Sequence, residues 1–177
     1  MIADKKNFRL DGISDVISSL PICFYFTLIY LSIIKSAPAS LLYLKIFGGL
    51  MFTTLTTDFI KRLPYPNFLW KITRRPKGAK NTDFLSKNGP ARKDAPGFPS
   101  GHMSATVYTL GMCSYYFVET NIGHLINLLI VLIMSWSRWY KGVHNIFQII
   151  GGIGYGSLCS YLTIFLIGQK SNWKRLI

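Results

Sequence analysis

The sequence predicts an all-α, polytopic membrane helical bundle of about five transmembrane helices. Three observations carry that expectation. Half of the 177 residues are hydrophobic. The charged residues are gathered between long uncharged runs rather than spread along the chain. Several of those runs reach the roughly 20 apolar residues that one helix needs to cross a hydrocarbon core. The length suits one domain, so residues 1–177 are read as a single unit.

The first twenty residues place basic side chains ahead of an apolar stretch, as a secretion signal does. The apolar run is too long for a signal core, and no small-x-small cleavage site clearly follows. It is read as a retained first span. No charge occurs between Asp15 and Lys35, and Pro21 lies near the start of that run. The second span lies between Lys35 and Asp58. Only Lys45 interrupts it, close enough to one end to snorkel toward the surface. The third begins near Ser100, inside the uncharged stretch from Ala95 to Val118. The fourth holds Ile126 to Ser137, between Glu119 and Arg138, and the fifth lies between Gly142 and Gln169. Gly151, Gly152, Gly154 and Gly156 fall in the fifth span. A dinucleotide loop needs a preceding strand, and none is visible. The glycines read as small residues that let membrane helices approach closely.

Residues 61–98 stand apart. They form a basic extramembrane segment in which Pro64, Pro66, Pro76 and Pro90 argue against one continuous helix. A connection this long in a compact protein is usually functional. With five spans, the N-terminus, this segment and the Arg138–Lys141 turn share one side. Most of the 20 Lys and Arg residues lie there, and Lys35, Lys170, Lys174 and Arg175 lie on the other. The positive-inside rule makes the first side cytoplasmic.

The formal charge of +13 fits nucleic acid, an anionic membrane surface or an anionic substrate. The apolar spans favour the last two, and no nucleic-acid module is visible, so no nucleic-acid partner is expected. Cys23, Cys113 and Cys159 are scattered through apolar runs, which gives neither a disulfide framework nor a zinc spacing. The seven acids are dispersed, without the carboxylate cluster a magnesium site wants. No metal and no cofactor are expected. Trp70, Trp136, Trp139 and Tyr140 suit the membrane interface, and His124 reads as an ordinary surface residue.

The other two histidines differ. His102, in Gly97-Phe98-Pro99-Ser100-Gly101-His102, and His144, in Ser137-Arg138-Trp139-Tyr140-Lys141-Gly142-Val143-His144, both sit where the charge-rich side meets an apolar span. They could share one site. Removing a phosphate from an ester needs a nucleophile, an acid for the leaving oxygen and fixed positive charge for the equatorial oxygens. Imidazole can do either of the first two jobs. Guanidinium suits the third, because its planar fork matches phosphate oxygens in pairs. Arg138 lies six residues before His144, and the basic segment adds Lys71, Arg74, Arg75 and Lys77. Ser100 and Gly101 open a span, where backbone N–H groups point at an anion.

These residues resemble the type 2 phosphatidic acid phosphatase superfamily, which also includes vanadium haloperoxidases. That family carries Lys-x6-Arg-Pro, then Pro-Ser-Gly-His, then Ser-Arg-x5-His-x3-Asp. Pro99 to His102 match the second motif in full, and Ser137, Arg138 and His144 match the third. Of the first only Arg75-Pro76 is present, since Phe68 stands where the lysine belongs. Lys61 or Lys71 could supply the ammonium, with the shorter reach favouring Lys71. The third motif ends in Gln148 rather than Asp. Glutamine can orient the ring but supplies no negative charge.

The resemblance implies a metal-independent lipid phosphatase acting on a phospholipid or isoprenoid phosphate. It assigns His144 as nucleophile, through a phosphohistidine, and His102 as acid. Arg138, Arg75, Lys71, Ser100 and Gly101 would hold the phosphate. Gln148 keeps a second reading open, a catalytically weak or inactive relative that binds phospholipid. Family members typically have six membrane helices. The first looks absent here, which again places the N-terminus on the active-site side. In many relatives that side faces away from the cytoplasm, opposite to the positive-inside reading.

Overall fold

The computed structural model describes residues 8–76, 79 and 96–168, with side chains from residue 10 onward. Within them the chain forms α1 (Phe8–Ser18), α2 (Leu20–Ile34), α3 (Ala37–Lys61), α4 (Trp70–Thr73), α5 (Gly101–Tyr116), α6 (Asn121–Tyr140) and α7 (Ile146–Ile167). A single 3-10 turn, Asn67–Leu69, leads into α4. The described residues contain no strand, only an isolated bridge between Arg74 and Pro96. The fold is all-α, as expected.

Four stretches are long and apolar enough to cross a membrane: Leu10–Ile34, Ala37–Lys61, Asn121–Tyr140 and Ile146–Ile167. Their outer surfaces carry exposed Phe26, Tyr30, Leu55, Leu129, Phe165 and Leu166. In water this girdle would far exceed the apolar patches that soluble monomers show; in a bilayer it is the solvated surface. The chain is an integral, multi-pass membrane protein.

The remaining expected span is α5, and it differs from the others. Its 16 residues rise about 24 Å, short of a hydrocarbon core of about 30 Å. It is the central helix, packed against α2, α3, α6 and α7. Every residue from Met103 to Leu110 is buried, including Ser104, Thr106 and Thr109. Protein rather than lipid surrounds these hydroxyls, which is why a span that carries them is tolerated.

The first span also departs from expectation. Among the described residues helix is already present at Phe8, ahead of Asp15, and it breaks at Ser19 before α2 resumes. Pro21 is the cause. It has no N–H to donate, and its ring crowds the carbonyl of Ile17 one turn back. Of the basic segment, residues 62–76 include α4, which packs against α7. Lys77, Lys80, Lys87, Pro90, Arg92 and Lys93 lie outside the described residues.

Lipid removes most of the hydrophobic gain from helix pairing, so close packing and small residues hold the bundle together. A Cβ on Gly152 would come within 2.7 Å of the Ser100 carbonyl oxygen, and one on Gly156 within 2.5 Å of the Ser104 carbonyl oxygen. These two glycines let α7 lie directly on α5. Gly151 makes room for the Phe98 ring, whereas Gly154 faces open space. On the other side of α5, buried Tyr108 donates its hydroxyl to the Ile46 carbonyl of α3 at 3.0 Å, within a cluster that includes Leu42, Leu50 and Met112.

This packing brings the N-terminal ends of α5 and α7 together with the C-terminal ends of α1, α3 and α6. The helix dipoles of α5 and α7 thus present their positive ends at one face of the bundle.

Candidate active site

The start of α7 anchors the site. Asn145 caps this helix reciprocally. Its Oδ1 accepts from the Gln148 backbone N–H at 2.9 Å, and Gln148 Oε1 accepts from the Asn145 backbone N–H at 3.2 Å. The same Oε1 meets His144 Nδ1 at 3.0 Å. An amide oxygen only accepts, so Nδ1 carries the proton and the Nε2 lone pair is left for other work. The Gln148 amide nitrogen donates to the carbonyls of Arg74, Thr73 and Ile72 at 2.8, 3.0 and 3.3 Å. Asn145 Nδ2 reaches the carbonyls of Ile72, Lys71 and Arg74 at 3.2, 3.4 and 3.4 Å. Two amide side chains therefore stitch residues 71–74 to the start of α7 and bring Arg75 beside His144.

His144 is only 5% exposed. Burial, then the positive charge of Arg75, pushes its pKa down to about 3, with the Gln148 hydrogen bond opposing and Arg138 and Lys61 adding to the depression. The imidazole is therefore neutral across the ordinary pH range, the form with a lone pair to give.

The segment ahead of α5 closes over this pair. Gly97 N–H donates to the Thr73 carbonyl at 2.6 Å, and Ser100 N–H to the Gln148 carbonyl at 3.0 Å. A Cβ on Gly97 would stand 2.7 Å from Gln148 Oε1 and 2.8 Å from Arg75 Cγ, so glycine alone fits there. The Phe98–Pro99 peptide is cis. Ser100 is fully buried, and its Oγ has no hydrogen-bond partner among the described residues. A buried hydroxyl in that state at a helix N-terminus is suited to an anionic oxygen.

The lysines resolve differently from expectation. Lys61 Nζ lies 3.1 Å from where a Gly101 Cβ would be, against the first turn of α5, and pairs with Asp58 at 3.0 Å. Lys71 points into solvent, and it is its carbonyl that meets Asn145. Chain reach along the sequence favoured Lys71, but the α3–α5 contact seats Lys61. Arg138 is buried at 1% exposure and donates through Nη2 to Ser18 Oγ. His102, partly buried in the first turn of α5, lies within electrostatic reach of Arg138, His144, Lys61 and Lys141. Among the described residues, no three His, Cys, Asp or Glu side chains converge as metal ligands.

The structure thus gathers His144, His102, Gln148, Arg138, Arg75, Ser100 and Gly101, and leaves the Lys71 side chain outside. Sequence reasoning missed Asn145, although Asn145-x-x-Gln148 is a capping-box spacing. It also missed Ser14, Asp15 and Ser18 of α1, which bond to the end of α6.

Two imidazoles, a buried and a half-buried guanidinium and two helix N-termini at one end of an apolar bundle define a multi-pass membrane protein with a cationic face suited to an oxyanion. Comparison with protein families matches residues 37–172 to the PAP2 superfamily. The chain belongs to that superfamily. Its fold is similar to the crystal structure of a transmembrane PAP2 type phosphatidylglycerolphosphate phosphatase from Bacillus subtilis, with a TM-score of 0.54 and 19% identity. That likeness covers 91% of this chain and 76% of the other. No curated protein sequence matches. Helices α1 and α2 precede the segment matched to the superfamily.

Proposed function

We propose that the protein is a membrane lipid phosphatase that cleaves a phosphate monoester or diphosphate through a phosphohistidine on His144. The observation that carries this reading is the Gln148 Oε1–His144 Nδ1 contact, which leaves Nε2 unprotonated beside Arg75 and the α5 N-terminus.

Nε2 of His144 attacks phosphorus, and the bond to the departing oxygen breaks. His102, in its imidazolium form, gives that oxygen a proton, and the neutral ring then takes one from water. The water oxygen attacks phosphorus, the P–N bond breaks, and inorganic phosphate leaves. Arg138, Arg75, Lys61 and the Ser100 hydroxyl hold the equatorial oxygens, where transition-state charge is spread. Lys61 takes the role assigned to Lys71 from the sequence. Once phosphorylated, the His144 ring is cationic, and its Nδ1–H still has an acceptor in Gln148. An amide oxygen supports that cation less than a carboxylate would. Slow turnover follows, and this observation favours the second reading, a phospholipid-binding relative of low activity. The apolar girdle favours phospholipid or isoprenoid phosphates over soluble esters.

Phosphate release by purified protein from phosphatidate, lysophosphatidate, a polyprenyl diphosphate and a sphingoid phosphate tests this reading. Release from at least one, unchanged by EDTA and lost in His144→Ala and His102→Ala, is expected. Equal release by wild type and both variants refutes the catalytic assignment, and loss on chelation refutes the metal-free mechanism.

A further inference from the structure

We infer that α1, which precedes the family-matched segment, is a positioning strut of the phosphate site, with Ser18 the residue that aims Arg138. The inference rests on the phosphate-site reading above.

Asp11, Ser14, Asp15 and Ser18 recur at helical spacing and share one face of α1. That face meets Ser137, Arg138 and Lys141 at the end of α6. Two kinds of contact are present. The first docks the helix: Ser14 Oγ lies 2.7 Å from Ser137 Oγ, and Ser137 Oγ donates to the Ser14 carbonyl at 3.1 Å. The second engages the cations. Ser18 Oγ donates to the Ser14 carbonyl at 2.6 Å, and accepts from Lys141 Nζ at 3.0 Å and from Arg138 Nη2. Lys141 Nζ also donates to Asp15 Oδ1 at 2.5 Å.

A hydroxyl has one proton to give and two lone pairs to receive. Ser18 engages all three with the Ser14 carbonyl, Arg138 and Lys141, and Ser137 Oγ stands further off at 3.4 Å. Ser18 is 6% exposed, so water does not compete freely for it. A guanidinium is a rigid plane. Fixing Nη2 therefore fixes the direction in which its other N–H groups point. The same oxygen holds the Lys141 ammonium beside Arg138, although two like charges would otherwise separate. Ser14 does not touch Arg138 in this network. It offers a control that loosens α1 without removing the guanidinium's acceptor.

Inorganic phosphate is the probe, because its binding, followed by NMR titration of purified full-length protein, requires no turnover. Ser18→Ala is expected to weaken phosphate binding about tenfold, the worth of one charge-assisted hydrogen bond. Ser18→Thr keeps the hydroxyl and is expected to stay within about twofold of wild type. Ser14→Ala is expected to lower the melting temperature and to weaken phosphate binding clearly less than Ser18→Ala does. If the alanine protein does not fold, Ser18→Cys carries the test, since it keeps the size and weakens the acceptor. Wild-type affinity in the Ser18 variant that folds overturns the inference, as does equal weakening by Ser14→Ala. Phosphate binding that depends on Ser18, in a protein that hydrolyses no lipid phosphate, supports the strut and refutes the phosphatase reading. No phosphate binding by the wild type overturns both.

Discussion

Gln148 is fully buried and has every polar atom engaged. Its oxygen serves His144 and the Asn145 N–H, and its nitrogen serves three carbonyls of residues 72–74. A carboxylate could keep the first two contacts. Its second oxygen would then face three carbonyl oxygens at 2.8–3.3 Å, acceptor against acceptor. The site is therefore built around an amide, although the family motif has an acid at this place. Gln148→Glu, nearly identical in shape, is expected to lower the melting temperature and to reduce activity by about tenfold or more. Higher activity without loss of stability would show that the amide is only a defective acid.

The same residue illustrates what a sequence discloses at this scale. His102, His144, Arg138 and Arg75 were legible because the chemistry of phosphate needs those groups and short motifs carry them. The three carbonyl partners of Gln148 were not legible, because backbone acceptors leave no mark in a sequence. The choice between Lys61 and Lys71 was open in the sequence for a related reason. The seat of Lys61 on Gly101 depends on how α3 packs on α5, which no spacing along the chain records.

At the scale of elements, the two histidines proposed to act in catalysis depend on one helix interface. His144 and Gln148 belong to the start of α7, and Ser100 and His102 to the start of α5. The Ser100–Gln148 backbone bond joins the two starts. Gly152 lies one turn beyond Gln148 and lets the helices touch. A methyl group there would come within 2.7 Å of the Ser100 carbonyl and of Met103 Cβ. Gly152→Ala is thus expected to destabilise by about 1–3 kcal/mol, as overpacking does, and to reduce activity by separating the two histidines. Gly154→Ala, with nothing within 4 Å, is the internal comparison and should leave both properties near wild type. Thermal melts and initial rates of the two variants check this; equal effects would mean that the interface is not the determinant. Helices were legible from uncharged runs, but the central place of α5 was not. Its hydroxyls are acceptable only because four neighbours enclose it, and that is a property of the assembly. The polar stripe on α1 was visible in principle, since residues 11, 14, 15 and 18 repeat at helical spacing. It went unread because two acids and two serines near a span's start look like an ordinary membrane boundary.

For the molecule as a whole, an apolar exterior surrounds a polar end. Lipid solvates the exposed flanks of the four long spans. Exposed Phe68, Trp70, Trp139 and Phe147 lie in the segments next to the site and suit the headgroup region. A lipid whose tail stays in the bilayer can thereby bring its phosphate to the cationic face without leaving the membrane. In the proposed mechanism His144 itself takes the phosphoryl group. The most direct measurement is acid-free quenching of purified protein during turnover of a lipid labelled with ³²P in its terminal phosphate, followed by mapping of the label. A base-stable, acid-labile label on His144, absent in His144→Ala, is the expected result. Undiminished phosphate release by His144→Ala, or a label on any other residue, would contradict the mechanism.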